Sequence, residues 1–269
     1  MTTPVINCVS LRELQLDGVR ISEEALHAIL SSCSLLVKIK LFSCKGFKTI
    51  KVKNLHCLYE LRIFVGGRYQ QSTAFEISDV PNLSGFSCNL HFPFKSDSIS
   101  LRSNVTQLML DGSVITDNAC LYKIKSGFPF LESLTLGDMS SWKLESFHFT
   151  CASIERLTLK LCPYTLIDIR VNAPKLLIFC FDGVALPNLL FPVSTLKPIE
   201  VSLRLDLPVD AYVFLKMKES LTLSEKCYVR ITTFNSELPL DIDIDHLRTR
   251  LLSPPATNVQ ELWFETNGD

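Results

Sequence analysis

Several things are missing from this sequence, and each absence narrows its role. Its 27 Lys and Arg are matched by 28 Asp and Glu, leaving a formal charge of -1 at pH 7. The positive excess expected of a generally nucleic-acid-binding protein is therefore lacking. No apolar run reaches the roughly 18 residues that mark a transmembrane helix. The first ten residues, MTTPVINCVS, carry neither a basic stretch nor a sustained apolar one, so no signal peptide is read there. Charged residues are scarce at 20%, and hydrophobic residues reach 47%. That balance excludes a disordered chain and supplies a large core. We expect a soluble chain of the cytoplasm or nucleus.

The ten cysteines, at 8, 33, 44, 57, 88, 120, 151, 162, 180 and 227, include no C-x-x-C pair. Close pairs of that kind usually mark zinc sites. Disulfide frameworks belong mainly to short secreted chains. Most of these cysteines fall inside or just after apolar runs, where they are expected to be reduced thiols packed as small hydrophobes.

The dominant pattern is a repeat. An apolar residue, two of any kind, an apolar residue, one of any kind and a third apolar residue recur through the chain. The matches are LRELQL (11–16), LVKIKL (36–41), LYELRI (58–63), LSGFSC (83–88), VTQLML (105–110), LESLTL (131–136), IERLTL (154–159) and LLIFCF (176–181). Their first positions advance by 25, 22, 25, 22, 26, 23 and 22 residues. A period of this size means a solenoid, in which each turn buries its apolar residues only against its neighbours.

Weaker copies lie about halfway between: FKTIKV (47–52), LESFHF (144–149) and LIDIRV (166–171). One circuit therefore holds two extended segments on opposite sides. Helices are expected on the return path near 22–32 and 116–125, with Ser22 and Thr116 as N-caps and Glu23, Glu24 and Asp117 in the first turns. Beyond residue 196 the spacing stretches. Strands are expected at 199–205, 228–234 and 259–264 and helices at 210–221 and 241–251. We thus expect residues 1–198 to form a solenoid with turns of 22–26 residues, and 199–269 to continue it with longer, helix-bearing repeats. Neither end shows the polar capping element that shields a solenoid core, so the chain is expected to be a fragment of a longer one.

Residues 11–64 and 105–139 resemble the leucine-rich repeats of plant F-box/LRR proteins of the FBD-associated kind. SSCSLL (31–36) and LFSC (41–44) carry this resemblance best, as a helix ending in a Ser/Cys-rich turn and a strand ending in Cys. The resemblance implies an α/β leucine-rich-repeat solenoid, a curved parallel sheet with helices or short strands on its outer face. It also implies the substrate-recognition region of an SCF-type ubiquitin ligase, with 199–265 leading towards an FBD-like region. No F-box pattern precedes Leu11, so docking to a Skp1-type adaptor is expected only through an F-box upstream of these residues.

Little here points to chemistry. His27, His56, His91, His148 and His246 form no metal-binding spacing, and Gly66-Gly67 lacks the context of a phosphate-binding loop. DIDID (241–245) lacks the Gly and Glu of a calcium loop and reads as a helix N-terminus. The lysines at 38, 40, 45, 48, 51 and 53 are divided between the main strand and the return path, which argues against a single nucleic-acid stripe. We assign no catalytic, cofactor-binding or metal residue, no cofactor, and neither a nucleic-acid nor a membrane partner. Two other readings stand beside the ligase receptor. One is an adaptor or small-molecule-sensing leucine-rich-repeat protein. The other is a parallel β-helix enzyme acting on polysaccharides, which would need carboxylates stacked on neighbouring rungs.

If the three motif positions point inward, the residues between them face solvent on the main sheet. Successive turns then present Glu13, Gln15, Asp17; Lys38, Lys40, Phe42; and Glu60, Arg62, Phe64. The candidate partner-binding residues are Lys38, Lys40, Phe42, Arg62, Phe64 and, a turn or two further on, Met109. Aromatics beside Arg suit an interface hot spot. The other possibility is that the following chain folds over both Phe rings and makes them core.

Overall fold

The structure, a computed structural model, describes residues 8–64, 74–89, 104–111, 117–192, 198–206, 224–233 and 259–266. The chain divides into two compact units, Met1–Val114 with Tyr122–Ser133 and Ile115–Leu121 with Leu134–Asp269. Each is a parallel-strand solenoid with few helices. The expected helices at 210–221 and 241–251 lie outside the described residues.

The first unit runs β1 (Glu13–Asp17), α1 (Glu23–Ser32), β2 (Lys38–Phe42), β3 (Thr49–Lys53), β4 (Glu60–Phe64), β5 (Ala74–Ser78), β6 (Gly85–Cys88) and β7 (Gln107–Asp111). Its main sheet is parallel in the order β1-β2-β4-β6-β7, and β3 pairs with β5 on the return side. The helix α1 starts where expected, with the Ser22 hydroxyl accepting from the Ala25 N–H at 3.2 Å. It covers β3 through its side chains. Glu23 accepts from the N–H groups of Lys48 and Thr49, and His27 from that of Lys51. The helix thereby satisfies backbone donors at the start of the return strand.

A second helix, α2 (Asn118–Gly127), follows the same design. Its cap bond comes from Asp117, whose carboxylate accepts from the Cys120 N–H at 3.0 Å. The expected cap Thr116 lies outside the described residues. In the second unit come β8 (Ser133–Gly137), a single 3-10 turn (Met139–Ser141), β9 (Ser146–Thr150), β10 (Arg156–Cys162), β11 (Asp168–Asn172), β12 (Ile178–Gly183), β13 (Asn188–Leu190), β14 (Glu200–Asp206), β15 (Lys226–Thr233) and β16 (Val259–Thr266). The main sheet runs β8-β10-β12-β14-β15-β16, and β13-β11-β9 form the return sheet. Asn118 of α2 accepts from the N–H of His148 at the middle of β9, repeating the role that His27 has on β3.

One turn of backbone precedes several of the main strands. The N–H of the first motif residue bonds the carbonyl three residues earlier: Leu36 to Cys33, Leu58 to Leu55, Leu83 to Val80, Leu131 to Phe128 and Leu176 to Ala173. Those earlier residues are all buried, so the turn contributes a fourth apolar position that the six-residue motif does not contain. Cys33 occupies this position, and Cys151, also buried, stands at the same spacing before Ile154. All ten cysteines are free thiols, and Cys33, Cys44, Cys88, Cys151, Cys162 and Cys227 are buried.

The three apolar positions are buried in every motif from LVKIKL to LLIFCF. Burial of each side chain stabilises the stack by roughly 1.5–3 kcal/mol. Leu11, Leu14 and Leu16 of the first motif are only half-buried, because β1 has a described neighbour, β2, on one side alone. The half-period copies are the return strands β3, β9 and β11, where Ile50, Val52, Phe147, Phe149, Ile169 and Val171 turn inward. Among the described residues no helix is long and apolar enough to cross a membrane.

Candidate functional site

The outward positions of β2 and β4 bring five of the six expected residues together. Lys38 pairs in register with Glu60, Lys40 with Arg62, and Phe42 with Phe64. Side chains on both strands alternate strictly: Ile39, Leu41, Leu61 and Ile63 are buried, and the residues between them face away from the core. Met109 lies in the same row as Lys40 and Arg62 but two strands further, since Arg62 pairs with Ser87 of β6 and Ser87 with Met109 of β7.

The rings of Phe42 and Phe64 stack with centroids 5.7 Å apart and planes 20° from parallel. Both are half-buried and neither belongs to the buried core. An offset stack of this kind is worth about 0.5–1.5 kcal/mol beyond area burial. It also holds two aromatic side chains in fixed orientation on an outward face, which lowers the entropy that a partner must remove.

The cations around the rings are not free. Lys40 Nζ lies 2.7 Å from Glu13 Oε1, and Lys38 Nζ lies 3.9 Å from Glu60 Oε2. Arg62 also bonds Glu60 through its Nε. The hydrogen bond from Lys40, and then its charge, hold the Glu13 carboxyl below the usual carboxylate range. Glu13 and Glu60 are thus part of the site's electrostatics, and the candidate set leaves them out. The signal for them is the repeat itself, because a 22- to 25-residue step places each acid one strand from a lysine. Each of the three cations thus contacts a carboxylate, with Glu60 shared by two of them, and the aromatic pair lies within this frame.

The return-side lysines behave alike. Lys51 and Lys53 of β3 both reach Glu76 of β5, at 3.7 and 2.9 Å. They belong to a different sheet from Lys38 and Lys40. In the strand pairings of β1-β2-β4-β6-β7 and β10-β12-β14-β15-β16 no two carboxylates occupy directly opposed positions. The stacked acids required by the polysaccharide reading are therefore not found in these pairings. Among the described residues no three His, Cys, Asp or Glu lie together as a metal site would require.

Residues 2–159 match the family model described as At1g61320/AtMIF1, LRR domain. No curated protein and no solved structure matches the chain. The match covers the repeats from LRELQL to IERLTL, and the buried motif positions and parallel rungs described above are those of a leucine-rich repeat. This chain belongs to the plant At1g61320/AtMIF1 leucine-rich-repeat domain family.

Proposed function

We propose that this chain is a non-enzymatic recognition scaffold, the substrate-binding leucine-rich-repeat region of an SCF-type ubiquitin-ligase F-box protein acting in the cytoplasm or nucleus. Leucine-rich-repeat domains generally mediate protein–protein binding, and family and fold support a protein-interaction scaffold. The observation that carries the reading is the stacked Phe42–Phe64 pair, held half-open on a sheet face where Lys38, Lys40 and Arg62 each already contact a carboxylate. The partner is a protein that places an apolar side chain on these rings. A Skp1-type adaptor joins only through an F-box encoded upstream.

The test is affinity capture of the native gene product from its own cells, followed by mass spectrometry. Recovery of a Skp1-type adaptor together with a protein that is lost on Phe42→Ala and Phe64→Ala substitution supports the reading. Capture of a partner with no adaptor, from a gene that encodes no F-box, makes the chain a leucine-rich-repeat adaptor outside ubiquitination. Capture that survives both substitutions while stability falls by several kcal/mol returns the two rings to the core.

A further inference from the structure

The outward face of β14, β15 and β16 in the second unit holds a second aromatic and cationic cluster. Ser202, Arg204, Tyr228, Arg230, Glu261 and Trp263 are among the residues that line an open cavity of about 270 Å³. Arg204 pairs in register with Arg230, and Arg230 with Trp263. Two guanidinium groups thus start from directly opposed positions on strands about 5 Å apart, an arrangement that repels unless an anion lies between them. Among the described residues neither has a carboxylate within ion-pair distance; at longer range, burial raises the Asp182 carboxyl and the charge of Arg204 beside it pulls it back down. Glu261, the acid of the cavity, instead accepts a hydrogen bond from Trp263 Nε1 at 3.2 Å. That bond fixes the indole plane. The Arg230 guanidinium lies 5.9 Å from the ring centroid, and Trp263 is 56% exposed.

We propose that this cluster is a docking site for a partner-protein segment that carries one carboxylate beside an apolar residue. One Asp or Glu carboxylate of that segment bridges Arg204 and Arg230, and its apolar neighbour packs on Trp263 and Tyr228. The cavity, about 270 Å³ and open to solvent, lies at the small end of the roughly 300–1,000 Å³ range of small-molecule pockets, a size that suits one or two side chains of a partner. The surrounding charge decides between macromolecules. Asp182 pairs in register with Arg204, and Glu200 and Asp206 lie on the same outward face of β14. A polyphosphate backbone would run along these acids, whereas one carboxylate needs only the two arginines. Charge-assisted, forked hydrogen bonds are how Arg recognises a carboxylate.

The inference deepens the scaffold reading and rests on it, but the two fail separately. The probe is a fluorescein-labelled synthetic peptide with a single Glu-Leu pair among Gly and Ser residues, titrated into the full chain and followed by anisotropy, with a Gln-for-Glu peptide as control. The Glu peptide is expected to bind about tenfold or more tightly than the Gln peptide, the size of one charge-assisted hydrogen bond. Arg204→Gln and Arg230→Gln should each remove that advantage without lowering the melting temperature. Phe42→Ala should leave it intact. Equal binding of the two peptides, an unchanged advantage in both Arg variants, no binding up to about 1 mM, or tighter binding of an oligouridylate of equal charge would each overturn the site. A partner still captured through Phe42 and Phe64 in that event would leave the scaffold reading standing.

Discussion

The Nε2 of His27 accepts a hydrogen bond from the Lys51 N–H across 3.0 Å, tying the middle of α1 to the middle of β3. One helical turn earlier, Glu23 takes the N–H groups of Lys48 and Thr49 at 3.1 Å each. The backbone bonds from Thr49 and then Lys48 hold the Glu23 carboxyl below its ordinary range. A group whose folded pKa is depressed contributes stability above its unfolded pKa and loses it as pH falls through the folded one. Glu23→Gln should therefore melt at a lower temperature than the parent at pH 7, and the gap should close as both are acidified below about pH 4. A gap that widens in acid would contradict this assignment.

Leu134 and Leu157 are fully buried motif residues of β8 and β10. Leu134→Asp or Leu157→Asp buries a charge with no partner and should cost about 3–5 kcal/mol. Thermal unfolding followed by circular dichroism measures it. An unchanged melting temperature for either variant would mean that the repeat register is misplaced.

Two positions with positive φ should respond in opposite directions. Leu161, in the irregularity between Leu159 and Cys162, has φ 51° and is 56% exposed. Leu161→Asn, which suits the left-handed region, should raise stability by about 1 kcal/mol. Gly46 has φ 105°, and a Cβ there would collide with the Ile21 carbonyl oxygen, so Gly46→Ala should cost about 2–3 kcal/mol. Urea midpoints would register both, and the same sign for the two would overturn the backbone assignment.

The thiols should label in an order set by burial. Burial pushes the Cys227 thiol up to about 11 and the Cys162 thiol higher still. Cys8 is exposed. Since only the thiolate reacts, iodoacetamide on the folded protein at pH 8 should modify Cys8 and spare Cys162 and Cys227 until denaturant is added. Peptide mass spectrometry reads the order directly, and early labelling of Cys162 would show that its strand is open.

Through residue 181 the sequence by itself determined the rungs, because a buried position tolerates few residue types and the motif repeats at 22–26 residues. Ile39, Leu61, Leu134 and Leu157 could be placed inward, and Phe42 beside Phe64, from spacing alone. The short return strand β13 carries too few apolar positions to register as a half-period copy. Tertiary structure alone decided what the outward side chains do. Lys40 has Glu13 as its partner, and Glu60 serves both Lys38 and Arg62. These are choices of rotamer among several acids and bases in reach, which no spacing encodes. It also decided the meeting of Arg230 with Trp263. Past residue 196 the repeat lengthens and the β15–β16 register shifts between Cys227 and Tyr228, so counting along the chain no longer says which residues share a row. A one-residue slip moves a side chain to the opposite face, and only the folded strand pairing settles which face Trp263 takes.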